Sequence, residues 1–118
     1  MFRLIVEDAY QRRCSVTGEK TRPVLQAAHI KPVSESGPNR VNNGLLLRSD
    51  LHILFDRGYL TVTRDHRVEV SKRIKEEFHN GREYYPLHGR RLLILPDRPQ
   101  DLPDREFIDW HNEKVFVA

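Results

Sequence analysis

Cysteine is nearly absent from this 118-residue sequence, occurring once as Cys14. A lone thiol forms no intrachain disulfide, and it excludes a zinc site built from several cysteines. Long apolar runs are also missing. Leu45–Leu47 and Leu92–Leu95 fall far short of the roughly 20 residues a bilayer-spanning helix needs, so no membrane role is expected. The N-terminus carries Arg3, Glu7 and Asp8 among its apolar residues, which is not the pattern of a signal peptide. A cytoplasmic location is the expectation. There is no internal repeat and no low-complexity tract. An acidic excess is lacking too: the net charge is +3 and the pI about 9.2. That balance is compatible with a polyanionic partner without demanding one.

The hydrophobic share is 38% and the charged share 31%, which fits a folded domain rather than a disordered segment. The length suits one domain with its own core. Arg far outnumbers Lys, and its planar fork suits phosphate oxygens.

The periodicity predicts a helix over residues 2–12, with Phe2, Val6, Ala9 and Tyr10 on one face. Its abrupt start suggests the C-terminal domain of a longer protein. Turn chemistry follows at 15–23, with Gly18 and Pro23 as breakers. Val24 to Ile30 reads as a strand, 31–43 as a flexible polar loop, and Gly44 to Arg48 as a second strand. Ser49 is a candidate N-cap and Asp50 sits in the first turn of the next helix. Leu51, Leu54 and Phe55 share one face of it; His52 and Asp56 lie one turn apart on the next. Gly58 fits its C-terminal stop.

Leu60, Val62, Val68 and Val70 alternate about Arg64-Asp65-His66, as a hairpin does. Ser71 is positioned to cap a helix running to Phe78. A strand over 92–95 and a last helix over 104–115 complete the α+β reading.

The information about function is concentrated in 27–58. A strand ending in His29, a loop, Asn43, a second strand and a helix bearing His52 form the layout of a metal-assisted phosphodiesterase. An imidazole, with a reference pKa of about 6.5, is mostly neutral at pH 7 and able to take a proton from water. A second imidazole can hold a divalent cation that neutralises the leaving oxygen. The asparagine can hydrogen-bond the loop backbone and hold the first histidine in one orientation.

Three stretches carry a resemblance: Ala27-Ala28-His29-Ile30-Lys31-Pro32, Asn43-Gly44-Leu45-Leu46-Leu47 and Leu51-His52-Ile53-Leu54-Phe55-Asp56-Arg57-Gly58. Together they resemble the HNH endonucleases with their ββα-metal finger, also called the His-Me finger. The finger core spans 24–58 of a single domain covering 1–118, flanked by an N-terminal helix, a β-hairpin and C-terminal helices.

The resemblance implies a metal-dependent DNA endonuclease of the bacterial type, acting on nucleoid DNA as the cleavage module of a restriction-type system. It makes His29 the general base, Asn43 the asparagine that fixes the finger, and His52 the metal ligand. Asp56 stands where related DNase toxins carry a further metal-binding histidine. One Mg²⁺ or Mn²⁺ is implied, other transition metals being alternatives, and no structural zinc. Lys31, Arg40, Arg48 and Arg57 are candidate phosphate contacts, and the partner is double-stranded DNA. A homodimer and an N-terminal recognition domain outside this chain are the further partners implied.

The sequence departs from the family twice. Ala28 stands where many members place a metal-binding Asp, Glu or His, and Thr17 stands where a second cysteine would complete a C-x-x-C pair. The first departure supports an alternative, a non-catalytic nucleic-acid-binding module on a degenerate scaffold. His66, His79, His88 and His111 carry no assigned role, and Cys14 is expected to be a small buried side chain.

Overall fold

The computed structural model describes all 118 residues. Helix α1, Phe2–Ala9, seats Val6 and Tyr10 fully in the core. It ends three residues earlier than its apolar spacing suggests. Gln11 and Arg12 take φ of 58° and 56°, a left-handed pair that turns the chain out of the helix.

The segment after α1 folds back as a knuckle on the first hairpin. Cys14 is buried, and its Sγ accepts from the backbone N–H of Thr17 (3.5 Å) and of Arg48 (3.4 Å). Ser15 donates to Leu46 O through both its N–H (2.7 Å) and its hydroxyl (2.9 Å). Cys14 is thus a weak acceptor as well as a small buried side chain.

Strands β1, Leu25–His29, and β2, Gly44–Arg48, pair antiparallel, with His29 opposite Gly44 and Leu25 opposite Arg48. Gly44 is required by crowding rather than by backbone twist. A Cβ there would meet Val6 Cγ2 at 2.6 Å and Phe2 Cζ at 3.1 Å, so α1 crosses β2 almost backbone to side chain. Tyr10 uses that closeness: its hydroxyl donates to Gly44 O at 2.8 Å.

Helix α2, Ser49–Asp56, packs on both strands of the hairpin. Leu51 and Phe55 are fully buried, each contributing roughly 1.5–3 kcal/mol by leaving water. Ser49 is not the cap. It lies inside the first turn and Arg48 takes the cap position without a side-chain hydrogen bond. Asp50 is committed elsewhere, accepting a two-pronged bond from Arg48 (2.7 and 3.0 Å) and one from the Tyr84 hydroxyl (3.1 Å). Burial raises the Asp50 carboxyl, but the Arg48 guanidinium and Tyr84 outweigh it and hold the group below the usual range.

Gly58 ends the helix region at φ 84°, where a Cβ would lie 2.2 Å from Val115 O.

The second hairpin, β3 (Leu60–Val62) with β4 (Val68–Val70), forms as its alternation predicts, its turn closed by His66 at φ 63°. Helix α3, Arg73–Phe78, follows, and the Ser71 hydroxyl accepts from Arg73 N–H at 3.1 Å.

Residues 92–95 do not form a strand. Leu93 and Ile94 N–H both donate to Ser15 O (2.8 and 3.1 Å) while Leu92 N–H donates to His66 O (2.8 Å). The segment is therefore tied to the knuckle and the hairpin turn instead of running beside one partner. Helix α4, Arg105–Lys114, is capped by Asp104, whose carboxylate accepts from Glu106 N–H at 2.8 Å.

Candidate active site

The end of β1 and the outer face of α2 open onto one cleft of about 330 Å³, lined among others by Ala27, His29, His52, Asp56 and His111. Strand alternation explains the division at the start of the finger. His29 and Ala27 share the cleft side, whereas Ala28 points the other way and is fully buried. Position 28 therefore offers no ligand here.

His29 is fixed by two contacts. Its ring stacks on Phe2, with centroids 3.8 Å apart and planes within 7°. Its Nε2 lies 2.8 Å from Asn39 Oδ1. An amide oxygen only accepts, so Nε2 carries the proton and Nδ1 is left with its lone pair. Neither Phe2 nor Asn39 is visible as a site residue in the sequence. One lies 27 positions away on α1, and the other looks like ordinary loop composition.

Asn43 does not touch the imidazole. It is fully buried, its Oδ1 accepts from Lys31 N–H (2.9 Å), and its Nδ2 donates to Lys31 O and Pro38 O (2.9 Å each). Its own carbonyl accepts from Ile30 N–H at 2.9 Å. The expected role splits in two: Asn43 closes the 31–43 loop, and Asn39, carried on that loop, holds the histidine. The loop is accordingly pinned at both ends rather than loose. Gly37 packs so tightly on it that a Cβ would lie 1.8 Å from Lys31 O.

His52 is oriented from the opposite side. Its Nδ1 lies 2.7 Å from Gln26 Oε1, an oxygen that only accepts, so Nδ1 carries a proton and Nε2 is turned toward Asp56. That nitrogen is 3.1 Å from Asp56 Oδ2. Two adjacent ligands of one hard divalent ion, at bond lengths of about 2.1 Å and right angles, sit about 3.0 Å apart. The pair therefore fits such an ion in spacing and in donor type, an imidazole nitrogen beside a carboxylate oxygen. No group of three or more His, Cys, Asp or Glu side chains converges anywhere in the chain. Remaining positions around an ion would fall to water and to phosphate oxygens.

His111 also lines the cleft, but as a structural pin. Its Nε2 lies 2.8 Å from Phe55 O and therefore donates; its Nδ1, 2.7 Å from Thr61 Oγ1, accepts. The ring stacks on Phe55 at 3.7 Å. Burial keeps it neutral and lowers its pKa to about 4.

The basic candidates separate. Arg40 and Arg57 are exposed and make no ion pair within 4.0 Å, and Lys31 Nζ lies 5.9 Å from the Trp110 ring centroid. Arg48 is held by Asp50.

Residues 14–63 match the family model described as HNH endonuclease. Among solved structures, the chain is similar to one titled modification-dependent TagI restriction endonuclease, with a TM-score of 0.65 and 26% identity. The similarity covers 97% of this chain and 37% of that one, so the chain spans little more than a third of the length of the protein it matches. No curated protein matches it.

Proposed function

We propose, from the premise that this chain belongs to the HNH endonuclease family through residues 14–63, that it hydrolyses phosphodiester bonds of double-stranded DNA with His29 as general base and His52 and Asp56 as metal ligands. The observation that carries the reading is convergence. One imidazole with a free Nδ1 and a second imidazole paired to a carboxylate open onto the same cleft. His29 accepts the proton of the attacking water at Nδ1. His52 Nε2 and Asp56 Oδ2 would hold one Mg²⁺ or Mn²⁺, which when bound polarises the phosphate and stabilises the leaving 3′ oxygen. Lys31, Arg40 and Arg57 are free to hold backbone phosphates, and Arg48 contributes less because Asp50 occupies its fork.

The test is plasmid cleavage in Mg²⁺ or Mn²⁺. His29→Ala is expected to lower kcat by at least about 100-fold while the variant keeps its fold and its affinity for DNA in EDTA. A His29→Ala protein that cuts like the wild type sinks the mechanism.

The partial coverage of the TagI structure supports a second element of the proposal, that the chain is the cleavage module of a restriction-type enzyme whose recognition domain lies outside it. Nicked rather than linear product from the isolated chain is then expected, since each copy holds one cleft and double-strand cutting calls for two copies. Linear product formed from monomers at high dilution would overturn that element.

A further inference from the structure

We infer that Asn39 is the residue that positions the general base, and that Asn43 acts on His29 through it. This rests on the reading of His29 just given and deepens it.

The first observation is the bond itself. Asn39 Oδ1, on an exposed residue between two short turns, accepts from His29 Nε2 at 2.8 Å. It selects the tautomer in which Nδ1 is the base. The stack on Phe2 fixes the ring plane but not the tautomer, because a face contact does not distinguish the two nitrogens. No other hydrogen-bonding group of the chain contacts the ring.

The second observation is the route by which Asn39 is placed. Asn43 Nδ2 donates to Pro38 O, the carbonyl that precedes Asn39, and to Lys31 O at the other end of the loop. Asn43 therefore clamps the two ends of the segment that carries Asn39, while Ile30 N–H, next to His29, is held by Asn43 O. The connection runs from the Asn43 amide to Pro38, to Asn39, to Nε2.

Two consequences follow. Asn39→Ala removes only the bond at Nε2, so the imidazole samples both tautomers and rotates out of line. Misplacement of a reacting group by about 1 Å costs about 100-fold in rate. Asn39→Asp keeps an acceptor at the same place and restores the tautomer. Asn43→Ala disturbs the loop, and once Asn39 is gone its remaining effect on kcat is small, because both changes act on one contact.

The experiment measures kcat and KM for cleavage and the ¹⁵N–¹H correlations of the His29 ring, for wild type, Asn39→Ala, Asn39→Asp, Asn43→Ala and the Asn39→Ala/Asn43→Ala double variant, with thermal unfolding as the check on folding. The wild-type ring is expected as a single Nε2–H tautomer at neutral pH. Asn39→Ala is expected to show mixed tautomers and a kcat about 10- to 100-fold lower, at unchanged KM and Tm. Asn39→Asp is expected within a few-fold of wild type, and the double variant close to the slower single one. A wild-type ring protonated at Nδ1, an Asn39→Ala protein with wild-type kcat, or strictly multiplicative losses overturn the inference. Failure of the nuclease reading looks different: the tautomer shifts would remain, but no variant, wild type included, would show divalent-dependent cleavage lost with His29.

Discussion

At the scale of single residues, the two histidines of the cleft are oriented by two amides acting on opposite ring nitrogens. Asn39 leaves Nδ1 of His29 without a partner, and Gln26 turns Nε2 of His52 toward Asp56. For His52 as the proposed metal ligand, Gln26 is the partner on the far nitrogen, and loss of such a partner typically weakens metal affinity 10- to 100-fold. Gln26→Leu is accordingly expected to raise the Kd for Mn²⁺, measured by calorimetry or paramagnetic resonance, by about 10-fold or more. Gln26→Glu should retain tight binding, and an unchanged Kd in Gln26→Leu refutes the role.

The two histidines are legible in the sequence because they occupy the turning points of a strand-loop-strand-helix pattern, and Asp56 because it lies one turn beyond His52 at a position the family resemblance marks. Gln26 and Asn39 are not. Their partners lie 26 and 10 positions away, and an exposed amide in a strand or loop is ordinary composition until the fold brings a ring nitrogen to it.

At the scale of elements, the order of strands and helices follows the hydrophobic pattern closely, and the differences have local causes. Helix α1 stops early because Gln11 and Arg12 turn left-handed, and 92–95 is irregular because its N–H groups go to two separate carbonyls. What no pattern reveals is that α1 belongs to the site. It crosses β2 at Gly44 and carries Phe2 onto the face of His29. Gly44→Ala tests that link. The added methyl would stand 2.6 Å from Val6 Cγ2, so the Val6 side chain or the helix that carries it must shift. Overpacking of this kind costs about 1–3 kcal/mol. The expected result in chemical denaturation is a loss in that range, with kcat lowered further than the surviving folded fraction explains. A variant of wild-type stability would show that α1 has room to give.

At the scale of the whole molecule, the C-terminal helix closes the structure behind the site, and one buried histidine joins them. His111 on α4 supplies a donor to Phe55 O, at the end of α2 where the carbonyls lack helical partners, and accepts from Thr61 on β3. Asp56, the proposed ligand, is the next residue along. The pin works only while His111 is neutral. Its pKa falls from 6.5 to about 4 on folding because burial disfavours the cation.

The sign follows from proton binding. Between those two values the unfolded chain binds a proton that the folded chain does not, so stability is complete above pH 6.5 and declines as pH falls toward 4. Carboxylates held low by partners, such as Glu7 and Asp50, lose their contribution only as pH falls below their ordinary values of 4.5 and 3.8. Burial opposes ionisation at both, and their arginine partners outweigh it. Across the interval from pH 6.5 to 5, His111 contributes a loss of up to about 2 kcal/mol. Urea denaturation in EDTA at pH 7.5, 6.5, 5.7 and 5.0 measures this without metal binding entering. His111→Gln should be less stable at pH 7.5 yet nearly flat over the same interval. A wild-type profile already flat there, or an equal slope in His111→Gln, would remove His111 as the group that ties α4 to the end of α2.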